Sequence, residues 1–522
     1  MQSLRSVVFP PQLENLNEIV KNQKRIVSLI TIISTLSILP VGYHIIALNV
    51  PANTIQNAIL SKLFSEQKIS LSQGYVNILW AFIVACQSIG ALVGCLFLYQ
   101  IEKSFGTKRA LMLCNNIILL FASMLLFISF YFNTLLFLII GRLLVGVYTG
   151  ISCALVPIYI QEMAPKHIKG ALSCFVHIGV CAGSALGAFL SIENILGSSS
   201  TWHLLLALPA IFGLTQIALN YYTPDTPSYY LNKGNKAEAA KSIKFYYALE
   251  NYNDDAVIRE YKQLVTKIPQ QVSFYEAFSD SKTRKGIILG IIVSATQVFS
   301  GSMAVVSYST SMFTVASFTK FIIPFIPTLG ALFSIILTIP ALRLVETCGR
   351  KNLLINTLVI CATSNYLMTV FSLLSETVGS GSWASIGFAF TFLLFGIGYN
   401  VGAGPVAYFI PGELVPPNAS GIALGCGVAI NWISTMVTNL IYYPLIQFVG
   451  GWSYLLFAIP TTIAIIILQY ELPQNVGDST PKEEEEELVL TCNLNDYLES
   501  DDSQIYGTFD RTASGSSIPI SV

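Results

Sequence analysis

The chain has 522 residues, of which 53% are hydrophobic and only 11% are charged. A soluble chain carries about twice that fraction of charged residues, and the mean hydropathy here is +0.63. The formal net charge is −1, so no overall basic field attracts nucleic acid, and a nucleic-acid partner is not expected. The composition predicts an integral membrane protein.

Long apolar stretches recur along the whole chain, and each could cross a hydrocarbon layer of about 30 Å as a helix. This pattern predicts an all-α membrane protein with twelve transmembrane helices. The predicted spans, numbered 1 to 12, are 26–48, 75–99, 110–129, 134–160, 169–191, 203–222, 286–313, 321–344, 352–374, 383–410, 419–441 and 452–471. In span 5, Gly179, Gly183 and Gly187 are expected to allow close helix packing.

One long polar interruption, 223–285, separates a first half of six spans, 26–222, from a second half of six, 286–471. Its stretch NKAEAAKSIKFYYAL combines strong helix formers with amphipathic spacing, which predicts a helical cytoplasmic linker. A polar N-terminal segment, 1–25, precedes the first half. The tail, 472–522, is acidic, serine-rich and poor in apolar residues, so we expect it to be disordered.

Three short motifs at the ends of spans, here called corners, occur in both halves. The two copies of each are separated by nearly the same number of residues. The stretch FGTKR at 105–109 matches CGRK at 348–351, and PDTP after span 6 matches PQN after span 12. Glu162 and Glu413 each stand eight residues before a glycine, between the fourth and fifth spans of their halves. Parallel six-span repeats are the organisation of major facilitator transporters, which bind substrate between the halves.

The basic residues indicate the orientation. Of the 28 lysines and arginines, 24 lie in the termini, the linker and the loops on the linker side. The positive-inside rule therefore predicts that both termini are cytoplasmic. We expect a multi-pass protein of the plasma membrane.

Several motifs resemble the sugar porter family of the major facilitator superfamily, in particular its facilitative glucose (GLUT-type) transporters, of which this chain would be a divergent member. Span 4, GRLLVGVYTGISCALVPIYIQEMAP, is similar to the family's GR…G…G…PYxxE sequence. Span 7, TQVFSGSMAVVSYSTSMF, resembles QQxSGxN…YYST, and VGAGPVAYFIPGEL in span 10 resembles GPGPxxW…EL. The resemblance implies transport of a hexose or related polyhydroxylated solute by alternating access.

The resemblance also implies a substrate site, built from hydrogen-bonding side chains and an aromatic face. Its residues would be His177, Gln297, Asn400, Tyr408, Asn431 and Trp432. Val298 and Met303 stand where the family has amide side chains, and Ser334 stands in place of Asn. Losing two hydrogen bonds of about 1 kcal/mol each would weaken glucose binding about 30-fold. A different sugar or a polyol is therefore an alternative substrate.

Charges at the cytoplasmic corners would pair across the halves when the inner side closes. The implied gate charges are Glu162, Lys169, Asp225, Glu346, Arg350 and Glu413. Thr107 stands where the family usually has Arg, and Ser420 replaces a charge in the second half. We expect a weakened inner charge network, especially in the second half, and a modest bias toward inward-open states.

His44 and Arg142 are candidates for a coupling role. His44 stands where proton-coupled sugar porters have Asp and uniporters usually have Asn. A histidine titrates near neutral pH, but Arg142 is expected nearby and a cation disfavours protonation. We therefore expect a neutral His44 that is hydrogen-bonded between helices, while Arg142 has a structural or a substrate role.

Three functional alternatives follow. Span 1 lacks an acidic residue, which favours facilitated diffusion over proton-coupled symport. A transport-inactive nutrient sensor on a transporter scaffold is the third candidate.

No nucleotide-binding loop, metal-ligand cluster or nucleophile–base arrangement is recognisable, so we predict no enzyme activity, cofactor or metal. Besides the lipid bilayer and a small solute, trafficking adaptors are candidate partners, since YGTF at 506–509 resembles a tyrosine-based sorting signal.

Overall fold

The computed structural model describes residues 23–57, 73–132, 134–164, 169–247, 249, 253–264, 272–379, 381–416 and 418–473. Most of the N-terminal segment and nearly all of the tail, with its predicted disorder and sorting signal, lie outside the described residues. The regular secondary structure of the described residues is helical throughout.

Six main helices form the first half and match spans 1 to 6. They are α1 (Gln23–Ile46), α2 (Gln73–Phe105), α3 (Asn115–Phe132), α4 (Leu135–Met163), α5 (Lys169–Leu190) and α6 (Ala210–Tyr222). The short helical segments between them are Thr107–Arg109, the π-turns Ala110–Cys114 and Glu193–Gly197, and Trp202–Ala207.

The linker contains α7 (Lys236–Tyr247) and α8 (Asp254–Leu264), with short helices Pro227–Asn232 and Phe274–Ser279 before and after them. Its described part packs against the linker-side end of the first half. The Ser242 hydroxyl donates to the Asp225 carbonyl at 2.6 Å, and the guanidinium of Arg25 lies 4.5 Å from the ring centre of Phe245. The predicted helical linker therefore packs against the beginning of α1 and the end of α6.

Seven main helices form the second half. They are α9 (Ser281–Gln297), α10 (Met303–Val315), α11 (Ile326–Thr347), α12 (Arg350–Val378), α13 (Trp383–Gly398), α14 (Ser420–Val449) and α15 (Leu455–Glu471). The shorter segments are the π-turns Val298–Ser302 and Tyr399–Ala403, the 3₁₀ turns Ile323–Phe325 and Gly450–Tyr454, and the helices Gly404–Ala407 and Ile410–Glu413.

The helices account for all twelve predicted spans, so the all-α fold with two six-span halves is confirmed. Ten described helical stretches are long and apolar enough to cross a membrane. One of them, Ser420–Glu471, contains spans 11 and 12, and α5 supplies span 5. Span 7 begins at Ser281, inside the predicted linker, because the Asp280 carboxylate caps α9 by accepting the Thr283 N–H at 2.8 Å.

Glycines bring the backbones of neighbouring spans into direct contact. A Cβ atom on Gly146 of α4 would lie 2.2 Å from the carbonyl oxygen of Gln87 in α2. A Cβ atom on Gly183 of α5 would lie 2.1 Å from the carbonyl oxygen of Leu39 in α1. Only glycine permits these approaches, so the close-packing role predicted for glycine in span 5 is confirmed.

The halves also repeat a lysine cap at the linker side. The Lys108 ammonium donates to two backbone carbonyls at the end of α6, at 3.0 and 2.5 Å. The Lys351 ammonium donates to two carbonyls at the end of α15, at 2.9 and 2.6 Å. Gly106 and Gly349 precede these segments with φ of +80° and +75°, a conformation that glycine adopts without strain.

On the side opposite the linker, the halves are joined through Asn49, which follows α1. Its side-chain nitrogen donates to the Ser309 hydroxyl of α10 and to a backbone carbonyl of the same helix, both at 2.8 Å. Its side-chain oxygen accepts from the Thr310 hydroxyl at 2.7 Å. Gln56 adds a second contact by donating to the Tyr443 hydroxyl at 3.1 Å. The two halves are thus hydrogen-bonded together on this side.

The close approach of α2 and α4 predicts that Gly146→Ala destabilises the protein. The new methyl group would overlap the α2 backbone, and overpacking of this kind typically costs about 1–3 kcal/mol. We expect the unfolding temperature in detergent to fall by several degrees. Gly425→Ala in α14 is the matched control, because a Cβ atom there meets nothing within 4 Å. Equal unfolding temperatures for the two variants would contradict the packing argument.

Candidate functional site

Gln297, the last residue of α9, is the centre of a polar network within the second half. Its side-chain oxygen accepts from the Asn431 amide at 2.8 Å, and its nitrogen donates to the Gly404 carbonyl at 2.9 Å. The π-turn that follows is possible because Gly301 has φ of +105°. The network holds spans 7, 10 and 11 together around two of the predicted substrate residues.

His177 of the first half and Tyr408 of the second half lie beside each other. Their ring centres lie 6.2 Å apart, and the Nε2 atom of His177 lies 3.6 Å from the thiol of Cys181. The His177 side chain is only 8% exposed, whereas Tyr408 is 43% exposed. Asn400, in the π-turn of span 10, donates to the Ser334 hydroxyl at 3.0 Å. These three predicted residues therefore lie where spans 5, 8 and 10 meet.

Trp432 lines a narrow cavity between the two halves, whose volume of about 10 Å³ is that of about one water molecule, so a sugar fits there only after the halves move apart. Its first-half lining is Ile45, Val84, Gln87, Ser88 and Arg142. Its second-half lining is Met303, Ser307, Trp432, Thr435 and Asn439. The cavity thus combines an aromatic face with hydroxyl, amide and guanidinium groups, which is the chemistry that a polyhydroxylated ligand requires.

Two of the substituted positions have different surroundings. Met303 lines the cavity, so a thioether stands where the resemblance implies an amide. Val298 is fully buried in the π-turn, and it is absent from the described cavity lining. The change at Met303 therefore bears on the ligand more directly than the change at Val298.

Sequence comparison by motif missed part of this site. Gln87, Ser88 and Thr435 line the cavity, and Tyr399 lies beside Gln297, whose amide nitrogen is 3.4 Å from the Tyr399 hydroxyl. A signal for them existed, because polar side chains inside apolar spans usually face the protein interior. That signal does not say which interior surface they face, so it could not separate them from buried polar residues elsewhere.

His44 and Arg142 lie together in the first half. The Arg142 guanidinium donates to the His44 carbonyl at 2.9 Å, and both side chains are almost completely buried. Within the described part of the chain, neither ring nitrogen of His44 has a hydrogen-bond partner. This differs from the hydrogen-bonded histidine expected from the sequence, because Arg142 contacts the backbone of His44 rather than its ring. Arg142 also lines the central cavity.

The two repeated glutamates lie at the linker side, beyond the apolar spans Leu135–Ile160 and Trp383–Ala407. Glu162 accepts a hydrogen bond from the Thr107 hydroxyl at 2.9 Å, while Glu413 forms an ion pair with Arg350 at 2.5 Å. Burial raises the pKa of Glu162 to about 7, and burial likewise raises the pKa of Glu413 to about 7. Both carboxyls therefore exchange protons near neutral pH.

The remaining gate charges are placed as follows. Asp225, at the start of the linker, pairs with Arg109 of the first half at 2.7 Å. Lys169 is the first residue of α5, and Glu346 lies in the last turn of α11, but their side chains lie outside the described part of the structure. In the described part, no ion pair of a predicted gate charge joins the two halves.

The described contacts of the two repeated glutamates differ in charge. Among the described residues, Glu162 has the neutral Thr107 as a partner, whereas Glu413 is paired with Arg350. Thr107 and Arg350 each follow the positive-φ glycine of their corner, and each reaches the glutamate of its own half. The expected weakening of the inner charge network, especially in the second half, stays a prediction, because the side chains of Lys169 and Glu346 lie outside the described part.

Comparison with known proteins identifies relatives of this chain. The human protein "Solute carrier family 2, facilitated glucose transporter member 4" is 30% identical over 453 residues, covering 85% of this chain and 87% of the relative. The human member 3 of the same family is 27% identical over 449 residues, covering 85% and 89%. Both relatives are transporters rather than enzymes.

Solved structures show the same fold. The partially occluded inward open conformation of the xylose transporter XylE from E. coli matches with a TM-score of 0.71 at 19% identity, covering 87% of this chain and 99% of that chain. The proton:xylose symporter XylE bound to 6-bromo-6-deoxy-D-glucose matches with a TM-score of 0.65 at 21% identity, covering 87% and 98%.

A family profile decides the classification. The profile of the family "Sugar (and other) transporter" matches residues 29–486, which include both six-span halves and the linker. The chain therefore belongs to the sugar (and other) transporter family, as a multi-pass integral membrane protein of the major facilitator fold.

Proposed function

We propose that this protein carries a hexose or a related small polyhydroxylated solute across the membrane by alternating access. The observation that supports this most directly is the central cavity, which takes half of its lining from each six-span half. A solute bound there contacts both halves, so movement of one half against the other changes the side to which it is exposed. The relatives that are glucose and xylose transporters support the substrate class.

The lining gives the solute two kinds of contact. Gln87, Ser88 and Arg142 supply hydrogen-bonding groups from the first half, and Trp432 supplies an aromatic face from the second. Met303 supplies an apolar surface where an amide is implied in related transporters. A sugar that lacks the hydroxyl facing Met303, or a polyol that directs this hydroxyl away from Met303, therefore matches these side chains better than glucose.

We favour facilitated diffusion over proton-coupled transport. Span 1 carries His44 but no carboxylate, and the Arg142 guanidinium lies against the His44 backbone. A buried cation next to His44 opposes a second positive charge on its imidazole ring. No carboxylate or protonated imidazole is then available in span 1 to carry a proton with the solute.

We also propose the arrangement of the chain in its membrane. The bias of basic residues supports a cytoplasmic linker side with both termini on that side, and the domain limits 26–222, 223–285 and 286–471 follow the repeat. The plasma membrane is the proposed location. Trafficking adaptors that bind YGTF in the tail are proposed partners on sequence grounds alone.

Uptake into proteoliposomes tests the function and the mechanism together. Purified protein is supplied with labelled glucose, galactose, fructose, a polyol or ascorbate, with and without an imposed pH gradient. We expect saturable uptake of at least one hexose or polyol that does not respond to the gradient. Uptake against a concentration gradient, driven by pH, would replace uniport with symport. Absence of flux from folded protein would favour the transport-inactive sensor.

The network around Gln297 predicts a loss of affinity for Gln297→Met. This change keeps the side-chain length but removes the amide that would hydrogen-bond the solute in the proposed site, and one such bond contributes about 1 kcal/mol. We expect the KM for the transported solute to rise about five-fold or more. Gln469→Met on the exposed surface of α15 is the matched control. An unchanged KM would remove Gln297 from the site.

The buried carboxyl of Glu162 predicts a pH dependence of stability. Its pKa is about 7 in the folded protein and lower when unfolded, so the folded state binds the proton more tightly. Stability contributed by this group is therefore lost as the pH rises from about 4.5 to 7. We expect Glu162→Gln to raise the unfolding temperature at pH 8 and to have little effect at pH 5.

Glu193→Gln provides the control for this measurement, because Glu193 is exposed to solvent. It should leave the unfolding temperature unchanged at both pH values. If Glu162→Gln instead lowers stability at pH 8, the ionised carboxylate has a stabilising partner, and the neutral Thr107 contact is not its main interaction.

A further inference from the structure

A groove separate from the central cavity lies between spans 7 and 12, at the linker side of the second half. It has a volume of about 300 Å³. The lining residues are Ser281, Arg284, Lys285, Ile288, Leu289, Ile292, Ile467 and Glu471. The groove therefore runs from the ends of the two spans toward the membrane interior.

Its polar and apolar groups are segregated along the membrane normal. Arg284, Lys285 and Glu471 lie at the ends of α9 and α15, where the apolar spans end. Ile292 lies seven residues beyond Lys285, which is about 10 Å deeper along a helix. Ile288 and Ile467 are 46% and 38% exposed and so face the bilayer. Such a lining fits an amphiphile with its head at the span ends and its chain below.

The charges at the mouth of the groove favour an anionic head. Lys285 pairs with Glu471 at 2.8 Å, but the Lys285 side chain is still 65% exposed. The Arg284 guanidinium is exposed and donates to the Phe278 carbonyl at 3.4 Å, a contact that leaves its charge unneutralised. Two cations face one carboxylate, so the mouth carries a net positive charge. Phosphate is the anion that lysine and arginine bind most readily at a membrane surface.

We propose that this groove binds an anionic phospholipid of the linker-side leaflet. The phosphate lies against Arg284 and Lys285, and one acyl chain follows Ile288, Ile292 and Ile467. Glu471 competes with the phosphate for Lys285, so its ionised carboxylate limits the affinity. Free phosphate shares the head chemistry but cannot use the apolar part of the groove.

Native mass spectrometry of the full-length protein tests this binding without any transport assay. The protein is purified with phosphatidylglycerol and phosphatidylcholine in equal amounts, and the lipid retained on it is measured. A basic residue near a membrane surface contributes about 1 kcal/mol to the binding of an anionic lipid, equivalent to about five-fold in affinity. We expect Arg284→Gln and Lys285→Gln each to lower phosphatidylglycerol retention by about that factor.

Two further variants make the result specific. Glu471→Gln removes the competing carboxylate, so we expect it to increase phosphatidylglycerol retention, a gain that misfolding does not produce. Lys282→Gln removes an exposed cation next to the groove but outside its lining, and it should leave retention unchanged. Equal losses for Lys282→Gln and Lys285→Gln would mean general surface attraction and would overturn the proposal. Displacement of the lipid by inorganic phosphate, or equal retention of phosphatidylcholine, would also overturn it.

Discussion

The structure depends on the requirement that polar groups within a bilayer find partners inside the protein. Lys108, Lys351 and Arg142 meet it in one way, because each donates to backbone carbonyls of another helix. Gln216 of α6 meets it by donating to the carbonyl of Ile33 in α1. These contacts fix the rotation and depth of the spans in a solvent where apolar attraction between helices is weak.

The two halves repeat the same supporting contacts but differ in the partners of their repeated glutamates, Glu162 and Glu413. Both keep the lysine cap and the positive-φ glycine, whose loss would disrupt the end of a span. They differ at the corner where Glu162 meets a hydroxyl and Glu413 meets a guanidinium. The part of the repeat that supports folding is therefore symmetrical, while the part that would hold the linker side closed is asymmetrical.

Much of the fold followed from the sequence because hydropathy, basic-residue bias and repeat offsets all measure properties of whole segments. The same signals contain little information on the rotation of each helix about its axis or on the local backbone conformation. The π-turn after Gln297 results from Gly301 at positive φ and buries Val298, although motif alignment alone suggested that Val298 reaches the ligand. Asn49 was not singled out, because its partners lie in α10, about 260 residues further along the chain. Tyr399 and Gln87 were missed because a polar residue inside an apolar span gives no sign of which interior surface it faces.

Asn49 makes the contact opposite the linker unusually concentrated. The side chain and the backbone carbonyl of Asn49 hold α10 through hydrogen bonds to Ser309, to Thr310 and to a backbone carbonyl. These bonds share one residue, so any separation of the halves at Asn49 has to break or replace all of them. In the proposed alternating-access cycle, the empty carrier makes the same change without contacts to a solute. The strength of this one junction therefore bears on the empty and the loaded carrier alike.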